Sequence, residues 1–246
     1  MNTYISGNKK RFYVEKYGTV TSTNDIIKEK AKAGAPEGTV VLAEAQTAGR
    51  GRRGKKFLSP LGGGIYMSIL LRQKNDTISI TTLAAVAVAK VIEKHTGRTS
   101  EIKWVNDIFQ NGKKICGILT EGQRDATSGG LSYAILGIGI NLKEPQGGFP
   151  EELRDIAGAA FKENEAFDRD AIVEDILNEL FYGCQNHFEE YVKRSMIIGK
   201  AVTVLQNSKP LYNAKVLEVE RDFSLKILLD DGNTAVIKSG EVSVKM

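Results

Sequence analysis

Between Gly49 and Gly54 the chain reads Gly-Arg-Gly-Arg-Arg-Gly, and no other stretch limits the fold as sharply. Glycine lets the backbone turn tightly and approach a ligand closely. Arginine adds a permanent charge and a planar fork of donors that matches carboxylate or phosphate. Arg50, Arg52 and Arg53 would repel one another without an anionic partner. The spacing of Gly49, Gly51 and Gly54 formally satisfies G-x-G-x-x-G, which in a dinucleotide fold must lead straight into a helix. Here KKFLSPLGGG and then a strand follow, so that fold is rejected. A phosphate-cradling P-loop is rejected too, for want of its lysine and hydroxyl in register. What remains is a cationic flap between two strands. Six residues with three arginines have little apolar surface to anchor them, so the flap is expected to be mobile.

With 246 residues, the chain suits one large domain, or a large one with a small satellite. The net charge of +4 invites a nucleic-acid reading. Acidic and basic residues alternate along most of the chain, however, and no basic tract appears outside residues 49–56, which discounts it. No apolar run approaches the ~20 residues that span a bilayer, and the first 18 residues contain no apolar core of a signal peptide. Cys116 and Cys184 lie far apart without a pairing pattern, which suits a reducing compartment, so the cytoplasm is expected. The only histidines, His95 and His187, sit in helical patterns near exposed positions. Metal hydrolysis and Ser-His or Cys-His nucleophiles are therefore disfavoured. Arginine, lysine, carboxylate and backbone are left, an inventory for phosphate and acyl-phosphate chemistry.

Periodicity predicts strands at 12–17, 39–45, 64–71, 101–104, 107–110, 113–122 and 131–140. Asn111-Gly112 marks a hairpin and Ser128-Gly129-Gly130 a second turn. Thr21–Asp25 reads as a cap cluster opening a helix that ends at Gly34. A buried helix over 79–96 is closed by Gly97. Further helices are expected over 150–161 and 168–192, the latter with Ile172, Ile176, Leu180, Cys184, Phe188 and Tyr191 on one face. From Gly199 onward, short β-branched runs separated by polar turns predict a small β-barrel of SH3-like size. The expected division is 1–195 and 196–246.

Several polar residues stand where a ligand or plain packing would explain them. Gln46 ends a buried strand just before the flap, and it either faces a ligand or completes a strand-end hydrogen bond. Lys103-Trp104-Val105-Asn106-Asp107 holds the only tryptophan and can aim Lys103, Asn106 and Asp107 into a cleft, or simply form a turn over a buried ring. A lysine neutralises phosphate, and an aspartate holds Mg²⁺ or a proton. Lys114 is a site lysine or a surface charge. Ser22, Thr23 and Asn24 cap a helix, which also leaves donors for a small polar ligand. Gly137 and Gly139, ahead of Asn141, admit a ligand to the backbone or mark a bulge. Cys116 reads as a packed small hydrophobe.

Taken in order, the segments STN, AEAQTAGRGRRG, KWVND, KKICGIL and GIGIN resemble the biotin protein ligases, also called biotin–[acetyl-CoA-carboxylase] ligases. The likeness covers residues 12–195, and the β-rich tail looks like the family's small C-terminal barrel. It implies an α+β fold: a mixed, mostly antiparallel sheet flanked by helices, of class II synthetase-like type. It also implies ATP and biotin as substrates, Mg²⁺ as the accompanying metal, and a biotin carboxyl carrier domain as partner. Ser22, Thr23, Asn24 and Gln46 would hold the ureido ring, with Gly117 beside the biotin. Gly49, Arg50, Gly51 and Arg52 would lie in the loop over biotin and its adenylate, and Lys114 would meet the carboxylate end. Lys103, Arg53, Asn106 and Asn141 would serve the nucleotide, and Phe57 would stand near the adenine. Asp107 would be a magnesium-side or proton-handling group. Arg50, Lys103, Lys114 and Asp107 are the implied catalytic set. Val105 replaces the family's usual proline. Only about a dozen residues precede the first strand, so the resemblance is to monofunctional members without a DNA-binding domain; no membrane partner is expected, and a homodimer through a sheet edge is compatible with the pattern. Lipoate–protein ligase is the nearest rival. A nucleic-acid-binding module is disfavoured for lack of a reader helix.

Overall fold

The computed structural model describes residues 2–5, 11–72, 76–124, 130–183, 186–206, 209–238 and 240–244. Cys184 and the Ser128-Gly129 part of the second turn lie outside them.

Eight strands form the main sheet: β1 (Asn2–Ile5), β2 (Arg11–Val20), β3 (Thr39–Gln46), β4 (Gly64–Leu71), β5 (Glu101–Lys103), β6 (Asp107–Gln110), β7 (Lys113–Arg124) and β8 (Leu131–Asn141). They pair in the order β1-β2-β3-β4-β8-β7-β6-β5. Only β2 and β3 run parallel, because α1 (Thr23–Lys32) carries the chain between them. Asn111 and Gly112, with φ of 50° and 73°, make the turn that the Asn-Gly pair predicts.

Side-chain alternation divides the sheet into two faces. Val40, Leu42, Ile69, Leu71, Leu136 and Ile138 meet the helix α2 (Thr77–Thr96) in the large core. Val41, Leu70, Tyr133 and Ile135 face the other way and pack on Ile27 and Ala31 of α1. α2 is buried through its middle, as its unbroken apolar run predicts. Asp76 caps its start, and Gly97 closes it at φ 67°.

Two helical expectations need correction. Over 150–161 only the single turn α3 (Glu151–Arg154) forms. Beyond it the backbone extends and pairs with the sheet: Gly158 N–H donates to Lys114 O at 2.9 Å, and Ala160 N–H to Asn141 O at 2.9 Å. The helix expected over 168–192 is broken into α4 (Arg169–Asn178), a π-helical turn (Glu179–Gly183) and α5 (His187–Arg194). A β-carbon at Gly183 would lie 2.2 Å from the Glu179 carboxylate, which turns to pair with Lys90 of α2. Both pieces cover α2, so the apolar period persists across the break and hides it from a sequence reading.

Five further strands, β9 (Ala201–Gln206), β10 (Lys209–Val219), β11 (Leu225–Leu229), β12 (Thr234–Ile237) and β13 (Glu241–Val244), make an antiparallel sheet. Their order is β12-β11-β10-β9-β13, where the small barrel was expected. This sheet shares its apolar core with the larger one. Phe223 is the hinge-pin: His187 stacks on it at 5.2 Å, Phe188 and Tyr191 meet its edge, and its carbonyl accepts from Trp104 Nε1 at 2.7 Å.

His187 is half-buried rather than near the surface. Desolvation holds its pKa below the usual 6.5, against a weaker opposing pull from Glu189. The folded chain therefore binds this proton more weakly than the unfolded chain does. Stability from this site is fully present above pH 6.5 and is lost as the pH falls from there through the lower folded value. Between pH 7.5 and 5.5 the wild-type Tm should drop more than that of His187→Gln. Parallel melting curves for the two proteins across that range would refute the assignment.

Candidate active site

On the α1 side of the main sheet, the strands lose their bulk where the helix begins. Tyr133 and Ile135 pack under α1, and then β8 continues with Gly137 and Gly139, while β7 offers Gly117 at the same level. The result is a cleft of about 310 Å³, counting its open mouth, lined by Ser22, Thr23, Asn24, Gln46, Arg50, Phe57, Met67, Gly117, Leu119, Gly137, Ile138 and Gly139. The glycines are required by contact. A β-carbon at Gly137 would lie 2.4 Å from Asn24 Oδ1, and one at Gly139 would lie 2.5 Å from the Phe57 ring.

Ser22 occupies the N-cap position of α1, but no side chain caps this helix. Thr23 and Asn24 instead turn their side chains to the sheet. Gln46 Oε1 accepts from Thr23 N–H at 2.9 Å, and Gln46 Nε2 donates to Ser59 Oγ at 2.9 Å. Asn24 Nδ2 donates to Glu121 Oε2 at 2.6 Å. These polar groups lie in a fixed pattern around an apolar wall, the arrangement of a small-molecule site.

The glycine–arginine flap is a small hairpin in this structure. Phe57 N–H donates to Gly49 O at 2.9 Å, and Gly51 N–H to Lys55 O at 2.7 Å. Its tip turns through Arg53 and Gly54, both at positive φ. Hydrogen bonds supply the anchoring that its composition cannot. Arg50 pairs with Asp25 at 2.8 Å and Glu121 at 3.0 Å, so carboxylates of α1 and β7 answer its charge. Arg52 donates to Asn106 Oδ1 at 2.9 Å and to Gly240 O of the smaller sheet's β12–β13 connection at 3.3 Å.

A second polar cluster adjoins the cleft at Gly117. Lys114 Nζ is 2.7 Å from Asp107 Oδ1, and a β-carbon at Gly117 would lie 3.4 Å from the same nitrogen. Asn106 Nδ2 donates to Asp107 Oδ1 at 2.9 Å and to Ile118 O at 2.9 Å, tying the Trp104–Asp107 turn to β7. The peptide bond from Trp104 to Val105 is cis. The Asp107 carboxylate is thus already engaged by a cation and an amide. No group of three His, Cys, Asp or Glu able to hold a metal occurs among the described residues. Among the described residues no all-protein cage for Mg²⁺ forms at Asp107; a magnesium ion arriving with ATP would keep water and phosphate ligands beside it.

Of the residues picked from sequence, Ser22, Thr23, Asn24, Gln46, Arg50, Phe57 and Gly117 line the cleft. Gly49 sits behind it, 2.4 Å from Phe57 O measured from an ideal β-carbon. Arg52, Asn106, Asp107 and Lys114 form the adjoining cluster. Arg53 is exposed at the flap tip, beside Gly51 on the flap's first strand; Lys103 lies over the Phe109 ring at 5.9 Å, and Asn141 Nδ2 donates to Gly158 O at 3.1 Å. These three stand outside the cleft wall. Sequence reasoning missed Ser68, Asp25, Ser59 and Glu121. Glu121 had a signal: it continues the Gly117, Leu119 alternation on the cleft face of β7. Cys116, on the opposite face, is fully buried, and burial pushes its thiol pKa up, so it is no nucleophile.

A sheet with a cleft edged by a cationic flap and flanked by a lysine–aspartate pair defines a class, and sequence comparison agrees. The chain belongs to the biotin/lipoate A/B protein ligase family, whose profile matches residues 17–141. Among its relatives, the bifunctional ligase/repressor BirA of Bacillus subtilis is 43% identical over 165 residues, 65% of this chain and 50% of the relative. The biotin–[acetyl-CoA-carboxylase] ligase of Mycobacterium tuberculosis is 30% identical over 241 residues, covering 90% of this chain and 85% of the relative. The chain spans about half the length of the Bacillus relatives it matches. In three dimensions it is similar to the biotin protein ligase from Aquifex aeolicus solved with biotin and ATP, with a TM-score of 0.77 and 26% identity over 94% of this chain and 98% of that one.

Proposed function

We propose that this protein is an ATP-dependent biotin–protein ligase, its catalytic unit formed by residues 1–195 and its smaller unit by 196–246. The observation that carries the reading is the pairing of a polar, glycine-floored cleft with Lys114 at its rim under an arginine flap. The ureido ring of biotin docks among Ser22, Thr23, Asn24 and Gln46, where donors and acceptors alternate. The tail passes over Gly117, which brings its carboxylate to Lys114.

The carboxylate oxygen attacks the α-phosphorus of ATP, a P–O bond breaks, and pyrophosphate leaves. Lys114 neutralises the reacting oxygens, while Asp107 holds the ammonium in place. Arg50, Arg52, Arg53 and Lys103 supply the remaining positive charge, Phe57 stacks beside the nucleotide, and Asn106 and Asn141 flank it. In the second step a lysine ε-amine of the carrier domain attacks the acyl carbon and AMP departs. No enzyme nucleophile is needed, so catalysis is positioning plus charge stabilisation.

The direct test combines the chain with biotin, ATP–Mg²⁺ and a biotin carboxyl carrier domain, followed by intact-mass measurement. One biotinyl group should appear on the carrier, only when ATP is present. Modification by lipoate in place of biotin would move the protein to the other branch of its family. The cleft floor gives a sharper check. Gly137→Ala must displace the Asn24 amide, so biotin should bind about tenfold more weakly and the melting temperature should fall by several degrees. Equal affinity in calorimetry would remove biotin from this floor.

A further inference from the structure

Beneath the cleft runs a continuous polar chain that begins and ends on the flap. Arg50 donates to Glu121 at 3.0 Å, and Asn24 Nδ2 donates to the same Glu121 oxygen at 2.6 Å. Ser68 Oγ is 2.5 Å from Asn24 Oδ1 and 2.7 Å from Thr23 Oγ1. Thr23 reaches Gln46 Oε1, Gln46 Nε2 donates to Ser59 Oγ, and Ser59 Oγ donates to Phe57 O at 3.1 Å. Arg50 lies on the outgoing strand of the flap and Phe57 on the returning one.

Proton counting orients this chain. Asn24 Oδ1 only accepts, and the single Ser68 proton is shared between it and Thr23 Oγ1. Glu121 only accepts, so Nδ2 of Asn24 must point to it. Thr23 Oγ1 receives from Ser68 and keeps its own proton for Gln46 Oε1 at 3.2 Å. Ser68 is fully buried on β4 and lines no part of the cleft wall.

We infer that Ser68 is a positioning residue which fixes the Asn24 amide and, through Glu121, couples occupancy of the cleft to the hold on the Arg50 flap. A ligand that engages Thr23, Asn24 or Gln46 redistributes protons in a chain whose two ends are the two strands of the flap. The inference rests on the ligase reading only for the identity of that ligand; the coupling itself belongs to the protein alone.

Hydrogen exchange of the flap amides, including Gly51 and Phe57, tests the connection from Ser68 to the flap in the ligand-free protein, and its response to added biotin tests the link to occupancy. Ser68→Ala and Glu121→Gln should each speed flap exchange about tenfold, the effect of one lost buried or charge-assisted hydrogen bond. The double variant should be no faster than the faster single one, because Ser68 reaches Arg50 only through Asn24 and Glu121. Ser68→Thr, which keeps the hydroxyl, should exchange at the wild-type rate. Ser68→Ala should also release biotin about tenfold faster. Glu121→Gln changes charge at a half-exposed position with little change in volume, so it reports even if Ser68→Ala unfolds. Flap exchange within twofold of wild type in Glu121→Gln, or multiplicative effects in the double variant, would overturn the coupling. A wild-type chain that binds no biotin yet shows the exchange pattern would sink the ligase reading and leave the coupling standing.

Discussion

Lys114→Ala should lose adenylate formation while remaining folded, with pyrophosphate release slowed by about two to three powers of ten. A single preorganised donor at developing charge is worth ~3–4 kcal/mol in a transition state. Lys114 is the cation nearest Gly117, at 3.4 Å from its ideal β-carbon, and its partner Asp107 holds it at 2.7 Å. Removing the lysine also leaves Asp107 without its counter-charge beside the reacting carboxylate, which adds repulsion. Lys114→Arg should rescue little, since a planar fork cannot occupy the place of a compact ammonium. Pyrophosphate release at the wild-type rate from a folded Lys114→Ala protein would strike the residue from the mechanism.

Arg52→Ala is expected to do something different: form the biotinyl adenylate and fail to keep it. Arg52 joins the flap tip to the Trp104–Asp107 turn through Asn106 and to the smaller sheet through Gly240 O. Hydrogen bonds from a charged donor contribute about 1.5–3 kcal/mol each, so losing this pair should speed adenylate escape by at least about 100-fold. The freed mixed anhydride would then acylate lysines on bystander proteins. Filter retention of labelled adenylate measures the escape, and mass spectrometry of an added bystander protein measures the stray label. Undiminished retention would mean that the flap tip is not what confines the intermediate.

Much of the architecture was legible before any coordinates. Val, Ile and Leu crowd the main strands, which are buried on both faces, and Asn111-Gly112 and Gly97 carry their backbone geometry in their identity, so those elements follow from local chemistry. The region 168–192 was not legible, because its apolar face packs on α2 on both sides of the break at Glu179–Gly183, and periodicity does not register a π-helical turn. Residues 155–161 misled for another reason: their backbone is committed to Lys114, Asn141 and Leu142, distant partners that no local propensity reveals.

The site divides along the same line. Gln46 stood out at the end of an apolar run, Ser22, Thr23 and Asn24 as a helix-cap cluster, Arg50 within the glycine–arginine loop, and Lys114 beside a hairpin turn. Ser68 did not, lying inside the uniformly buried strand GIYMSILL, and Glu121 read as one charge among many.

From the chain alone came the cationic flap, its placement between two strands, the reliance on lysine and arginine, and the all-β tail, because each depends on residue type and near-neighbour spacing. Only the tertiary structure decided which side chains share one cleft, that Asp107 belongs to Lys114, that Glu121 and Asp25 hold Arg50, and that the smaller sheet grips the flap through Gly240. Those contacts join residues up to 188 positions apart in the chain, and a hydrogen bond or ion pair depends on distance in space, which no local pattern encodes.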